Sequence, residues 1–307
     1  MTAIHVEDPI LLAETRVVEA RTLGDSYVRL VVAGGDLDHW SADMIDPGTV
    51  GDAYVKLIVP PPRGRGVAPD PADIRGWLAL PEADRGWMRT YTVRRADRID
   101  LDGQQVPALT VDVVVHPGEE EGPGSSWART VRVGDILRVL GPGRGHAPWA
   151  AWAPGRAGRV VCAGDETAAP ALLAIAEELA AAPRGLREVQ IVVEVPTAAD
   201  AAALAPEVPE FVTVLPRAGE PGTGVLRRLA DVLDLGEDCV ETVMRGRRPT
   251  EREWQPATAV SAGDPYVFLA GEAGLVRAMR RLAVDAAGIR KESVAFMGYW
   301  RRGAAES

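Results

Sequence analysis

Met88 to Arg95, MRTYTVRR, gathers guanidinium groups, a phenol ring and two hydroxyls into eight residues. Alternation in an extended chain puts Arg89, Tyr91 and Val93 on one side and Thr90, Thr92 and Arg94 on the other. An arginine holds phosphate or carboxylate through paired N–H donors, and a tyrosine can cover a flat ring. A strand made only for a core would not set Arg89 beside Tyr91. The plainer reading is a solvated strand carrying an arginine–acid pair.

Three further stretches carry chemistry. In VHPGEEEGPGSSWART, Gly122, Gly124, Ser125 and Ser126 offer backbone N–H groups and two hydroxyls just before Trp127, a nest suited to phosphate. An acidic surface turn is the alternative, because Glu119, Glu120 and Glu121 pointed inward would repel an anion. VVCAGDETAAPALLAIAEEL runs an apolar strand into Gly164, Asp165, Glu166 and Thr167, then a helix with Pro170 in its first turn. That is the form of the first strand–turn–helix in a nucleotide-binding unit, without its G-x-G-x-x-G. Asp165 as a plain helix cap competes with it, and the acidic turn discourages a pyrophosphate laid directly above. Cys162, in the same apolar strand, reads as a small core residue rather than a redox thiol.

YVFLAGEAGLVRAMRR delivers Gly271 and Glu272 to a helix, and SVAFMGYWRRG delivers Tyr299, Trp300, Arg301 and Arg302 to the end of a last strand. In a parallel sheet these ends lie on the carboxyl edge, where ligands bind. A tail packed on the first half of the chain explains the same aromatics. Glu194 follows the apolar run VQIVV, where a carboxylate binds a ribose 2′-hydroxyl and admits NADH; Arg217, after FVTVLP, would instead serve the 2′-phosphate of NADPH.

Two kinds of element must position these residues. Six short runs, ETRVVEA, SYVRLVVAG, AYVKLIVPPP, MRTYTVRR, ALTVDVVVHP and GDILRVLGPG, have no helical period between them. They predict a six-stranded antiparallel β-barrel over residues 1–150, with the Pro- and Gly-rich residues 60–87 as a long excursion. Past residue 150 the period changes: apolar runs alternate with helical ones, predicting a parallel sheet wrapped by helices over residues 151–307. A barrel followed by such an α/β domain is the arrangement that places a flavin on the barrel and a nicotinamide cofactor on the α/β domain. In that setting Arg89 would hold the flavin pyrophosphate, Tyr91 would cover part of the flavin, and Thr92 would hydrogen-bond near N5.

Composition narrows the partners. The chain has 307 residues and a formal charge of −10, which argues against nucleic acid or an anionic membrane surface. No basic-then-apolar leader opens it and no apolar stretch is long enough to span a bilayer, so a cytoplasmic protein without stable membrane insertion is expected. Two cysteines, Cys162 and Cys239, cannot supply a four-thiolate metal site, so redox chemistry needs an organic cofactor and no metal ligands are assigned. Of 34 basic residues only Lys56 and Lys291 are lysine.

Taken in order, HVEDPI, AYVKLIVPPP, MRTYTVRR, VDVVVHPGEEEGPGSSWA, GDILRVLGPG, GDETAAPAL, YVFLAGEAGLVRAMRR and GYWRRG resemble the siderophore-interacting protein family, ferric-siderophore reductases of the ferredoxin-reductase-like superfamily. The resemblance implies an FAD-binding barrel, an NAD(P)H-binding domain, and reduction of a ferric siderophore that releases Fe(II). It gives Arg89, Thr90, Tyr91 and Thr92 flavin roles, with Tyr91 and Thr92 nearest the reaction, and adds His116, Ser125 and Trp127 as a second flavin-contact segment. It puts Asp165, Glu166, Thr167, Pro170, Gly271, Glu272, Tyr299, Trp300 and Arg301 on the nicotinamide side. Two departures stand out: Ser126 replaces a larger, often basic residue, and Glu119–Glu121 lengthen and acidify the preceding loop.

An acidic protein that meets an anionic ferric chelate must concentrate positive charge locally. Lys56, mid-strand in AYVKLIVPPP, is the first candidate for the chelate, with Arg129 and Arg302 after it. Ferredoxin is an alternative electron donor. The rival functions are a general flavin or ferredoxin-type reductase of the same superfamily, and a siderophore-binding protein without electron transfer.

Overall fold

Alternating burial explains the first strand. In β1 (Ile10–Leu23) Leu11, Ala13, Thr15 and Val17 are buried, while Glu14 and Arg16 face outward. A computed structural model of the chain describes residues 9–45, 51–115, 122–181, 188–246, 252–261 and 263–303. The chain divides into two compact units, Met1–Ala150 and Ala151–Ser307.

The first unit holds β1, β2 (Tyr27–Ala33), the short helix α1 (Ala42–Ile45), β3 (Tyr54–Val59), α2 (Ile74–Leu78), α3 (Glu82–Arg85), β4 (Trp87–Thr92), β5 (Arg95–Leu101), β6 (Gln104–Val114), α4 (Pro123–Ala128) and β7 (Ile136–Pro142). Its strands form one antiparallel sheet in the order β4-β3-β7-β1-β2-β6-β5. Each of the six runs singled out in the sequence becomes a strand, and a seventh, β5, joins them. The charged sequence RADRIDL hides it from a hydrophobic pattern. The signal that finds it is Asp102-Gly103, a two-residue hairpin turn with positive φ at both positions, closing β5 onto β6 at Leu101↔Gln104. Residues 60–86 form the excursion, pinned where Trp77 is buried against Ile58 and Leu140.

The second unit runs β8 (Arg159–Gly164), α5 (Ala169–Ala181), β9 (Glu188–Val195), α6 (Ala198–Leu204), β10 (Val212–Pro216), α7 (Thr223–Val232), α8 (Glu237–Arg245), β11 (Trp254–Gln255), β12 (Pro265–Glu272), α9 (Ala273–Arg281) and β13 (Val294–Trp300). The sheet order is β10-β9-β8-β12-β13-β11. Five strands are parallel; β11, from the irregular insert, pairs antiparallel with β13, so the expected all-parallel sheet gains an antiparallel edge. Val161 and Ala163 of β8, Val267 and Leu269 of β12 and Leu226, Leu229 and Met279 of the helices share one core. Cys162 is fully buried, and that burial pushes its thiol up, out of reach of ionisation. The strand order reverses between β8 and β12, and the carboxyl ends of those strands mark the crevice that such sheets offer a ligand.

Candidate functional site

The first cluster is built by β3, β4 and α4. The β3–β4 register sets Leu57 opposite Arg89, Val55 opposite Tyr91, Lys56 opposite Thr90 and Tyr54 opposite Thr92. Residues opposed across an antiparallel pair share a face. Arg89 and Tyr91 therefore lie with the buried Val55 and Leu57, half-buried themselves, while Lys56 and Thr90 share the other face. On that second face Lys56 Nζ donates to Thr90 Oγ1 at 2.7 Å and stands 5.8 Å from the centroid of the Tyr54 ring.

Helix α4 closes on the Arg89 face. It begins at Pro123 after Gly122, so Ser125, Ser126 and Trp127 are themselves helical. Gly124 faces β4 so closely that a Cβ there would overlap the Tyr91 hydroxyl and lie 3.7 Å from Arg89 Cγ. First-turn N–H groups have no carbonyl within the helix to bond. The tertiary structure thus brings one arginine, one phenol and the Gly124 backbone to a single place from segments about 35 residues apart. Arg89 Nη1 donates to the Met88 carbonyl at 3.0 Å, Thr92 and Ser125 are buried, and Ser126 is exposed. His116 and Glu119–Glu121 lie outside the described residues.

Beside α4 opens a cleft of about 560 Å³, lined by Trp87, Trp127, Ser126, Pro60–Pro62, Arg65 and Arg138. Sequence reasoning missed Trp87 and the proline turn; only the run PPPRG, which must reverse the chain after β3, hinted at it. Arg129 is exposed just past α4 and lines a separate depression with Arg21, Thr22 and Asp25, to which Lys56, Arg89 and Tyr91 do not contribute.

The second cluster occupies the carboxyl edge of the parallel sheet. Asp165 ties it together: Oδ1 accepts from Thr167 N (2.9 Å) and Thr167 Oγ1 (2.6 Å), and Oδ2 accepts from Glu272 N (2.7 Å) and Trp300 Nε1 (3.2 Å). Gly271 makes this approach feasible, with φ +133° and a hypothetical Cβ only 2.6 Å from Asp165 Cγ. Glu272 caps α9 through Leu275 N at 2.9 Å. Pro170 is buried in the first turn of α5; Tyr299, Trp300 and Arg301 are half-buried at the end of β13, and Arg302 is exposed.

Glu194 is wholly buried, and both its oxygens are spoken for. Oε1 accepts from Gly222 N (2.6 Å) and Arg217 Nε (3.3 Å), and Oε2 from Val225 N (3.0 Å) at the start of α7. A ribose 2′-hydroxyl would have to reach a carboxylate only 1% exposed whose oxygens already serve the start of α7 and Arg217. Arg217 also donates through Nη2 to Glu166 at 2.6 Å, bridging two buried carboxylates. Burial and the charge of Asp165 push Glu166 up to about 7 against the opposing pull of Arg217. Sequence reading named each of Asp165, Glu166, Glu194, Arg217 and Glu272; it did not foresee that their polar atoms would be used on Arg217 and on the turns and helix starts around them.

Among the described residues no helix is long and apolar enough to cross a membrane. The family model described as siderophore-interacting FAD-binding domain matches residues 16–146, and that described as siderophore-interacting protein matches residues 157–303. An uncharacterized protein of Mycobacterium tuberculosis is 30% identical over 294 residues, covering 94% of this chain and 90% of that relative. A siderophore utilization protein from T. fusca superposes with a TM-score of 0.65 at 29% identity, covering 97% of this chain and 96% of the other. The siderophore-interacting protein of Aeromonas hydrophila gives 0.60 at 25% identity, covering 97% and 94%. At the level of fold alone, phthalate dioxygenase reductase gives 0.57 at 14% identity, covering 95% of this chain and 70% of that one.

Proposed function

This chain belongs to the siderophore-interacting protein family, and from that premise we propose that it is an FAD-dependent reductase that takes electrons from NADH or NADPH and passes them to a ferric siderophore, releasing Fe(II) in the cytoplasm. In this reading residues 1–150 hold the flavin and residues 151–307 receive the nicotinamide dinucleotide. The observation that carries it is the meeting of Arg89, Tyr91 and the Gly124 backbone.

The residues present fit the flavin. A diphosphate needs a forked donor and backbone N–H groups; Arg89 is such a fork, and the first turn of α4 stands beside it, with Gly124 packed on Tyr91. Tyr91, held against Gly124, presents its ring beside them, and Thr92, the last residue of β4, is the hydroxyl this reading assigns to the reactive end, reached from the strand face it shares with Tyr54 and Lys56. FAD bound there supplies the conversion between two-electron hydride chemistry and the one-electron reduction of iron.

The substrate chemistry requires no protein acid or base. Hard oxygen donors hold Fe(III) far better than the softer Fe(II), so a single electron loosens the chelate. Approach of an anionic chelate to a chain of formal charge −10 calls for a local cation. Lys56 fits that need, since Thr90 and the Tyr54 ring fix where its ammonium stands.

The test is purification followed by anaerobic assay with an Fe(II) trap. Expected are a yellow protein and Fe(II) formation from ferric catecholate, hydroxamate or citrate with a reduced nicotinamide. A colourless protein that binds the chelate identifies a carrier. A yellow one active only on free flavin identifies a general flavin reductase. Either result overturns the proposal.

A further inference from the structure

We infer that the dinucleotide site of the second unit selects a ribose 2′-hydroxyl over a 2′-phosphate, and therefore NADH over NADPH, because Arg217, the cation placed to meet that phosphate, is locked between the carboxylates of Glu166 and Glu194. This inference rests on the proposed use of a nicotinamide donor and sharpens it.

The argument starts from topology. In a doubly wound sheet the ends of the strands beside the first βα turn meet the adenosine ribose; an acid there suits the hydroxyl and an arginine the phosphate. Here β8, β9 and β10 lie side by side, and their carboxyl ends deliver Glu166, Glu194 and Arg217 to one spot. The arginine alone would predict NADPH. Its surroundings reverse that.

Glu166 Oε2 lies 2.6 Å from Arg217 Nη2 and Glu194 Oε1 lies 3.3 Å from Nε. The two carboxylates are 3% and 1% exposed at the side chain, whereas Arg217 is 21% exposed. A phosphate that pulled the guanidinium outward would leave two charges in a dry interior without their counterion, the costly way to break a buried pair. One that came to Arg217 in place would stand close to both acids. The spot is already overloaded with negative charge: Asp165 and burial push the Glu166 carboxyl up to about 7. A 2′-hydroxyl brings no charge, and it can accept from the exposed part of Arg217 while both pairs persist.

Asp165 from the β8 turn, Arg217 after β10, and Glu194 of β9 through Arg217 all bear on Glu166. The second carboxylate is locked from another side as well, since Gly222 N and Val225 N of the α7 start bind it. Gly224 leaves room for it, with a hypothetical Cβ 2.9 Å from Glu194 Oε2. The lock is thus built from three strand ends and a helix, and moving Arg217 alone does not release it.

The test is calorimetric titration of the purified full chain with NAD⁺ and NADP⁺, alongside anaerobic bleaching of its flavin by NADH and NADPH. The expected result, measured above the Glu166 value of about 7 so that this carboxyl is ionised, is NAD⁺ binding tighter than NADP⁺ by about tenfold or more, with the gap narrowing severalfold in Glu166→Gln, which removes one of the opposing charges. Should Glu166→Gln fail to fold, the wild-type ratio decides the matter, and Arg217→Gln must leave NADP⁺ the weaker ligand. NADP⁺ binding as tightly as NAD⁺ overturns the inference while leaving the reductase proposal intact. If neither dinucleotide binds and neither bleaches the flavin, the nicotinamide reading fails and takes the inference with it.

Discussion

The two candidate sites use charge in opposite ways. At β4 Arg89 and Tyr91 are half-buried, so part of each side chain remains at the surface even where α4 packs on it through Gly124. At the carboxyl edge of the second sheet Asp165, Glu194 and Glu272 are buried and spend their oxygens on the turn after β8, on the start of α7 and on the start of α9. The contrast teaches that a motif of charged residues at a strand end is not by itself a binding motif. What separates the two cases is burial: the acids of the second cluster are closed off from solvent, whereas Arg89 and Tyr91 are only half covered.

If that contrast is sound, removing Glu194 should be a stability lesion and removing Arg89 a binding lesion. Glu194→Ala leaves Gly222 N, Val225 N and the Arg217 guanidinium without their buried acceptor, and is expected to cost roughly 4 kcal/mol in denaturant unfolding. A cost under about 1 kcal/mol would show that the carboxylate is not structural. Arg89→Ala, by contrast, should leave the unfolding midpoint nearly unchanged and weaken FAD by about 100-fold, the worth of two charge-assisted hydrogen bonds. Equilibrium dialysis of FAD reads this directly, and full flavin retention in the variant would erase the distinction between the sites.

The pH dependence of stability sharpens the second half of the comparison. Glu166 has a folded value of about 7, above its ordinary 4.5, so the folded state binds the extra proton between those values. The stability it contributes is therefore fully present below 4.5 and is lost as pH rises through about 7, with a slope of at most about 1.4 kcal/mol per pH unit. Stability measured by unfolding from about pH 4 to 8 should depend less steeply on pH in Glu166→Gln. An unchanged slope would mean that this carboxyl ionises normally.

The smallest expected effect is at Lys56. Its ammonium shares a face with Thr90, away from Arg89, so Lys56→Ala should keep the flavin while raising KM for an anionic ferric chelate about threefold at low salt. High salt should erase the difference, because exposed charges act through a screened field. Equal KM values at low salt would take Lys56 out of the substrate path.

Much of this was legible beforehand, for identifiable reasons. Strand alternation alone paired Arg89 with Tyr91, since a two-residue period leaves no other arrangement, and burial of the strand-forming runs followed from their apolar content. The miss at β5 has an equally plain cause: RADRIDL has alternation without hydrophobicity, and its pairing comes from the Asp102-Gly103 turn and from the buried face of β6. The nest read at Gly122–Ser126 proved to be the first turn of α4, which starts at Pro123, where Pro is at home.

The second cluster was legible as a set of residues and illegible as a site. Thr167 lies two residues from Asp165, a turn that local sequence specifies, whereas Trp300 reaches the same carboxylate from the end of β13. Glu194 read as a ribose ligand because its position at the end of β9 is right for one; that the α7 backbone takes its oxygens depends on how the β10–α7 turn folds back.

The sequence by itself determined most of the strands and helices, though not β5 or β11, which side chains share a strand face, and which residue types stand at the strand ends, because those follow from periods of two and 3.6 residues that are local properties of the chain. Only the tertiary structure decided that Gly124 would meet Tyr91, that Gly271 would make room for Asp165, and that Arg217 would be shared by two acids. Those outcomes depend on which donors reach a buried acceptor first, and hydrogen-bond partners separated by tens of residues are chosen by packing rather than by pattern.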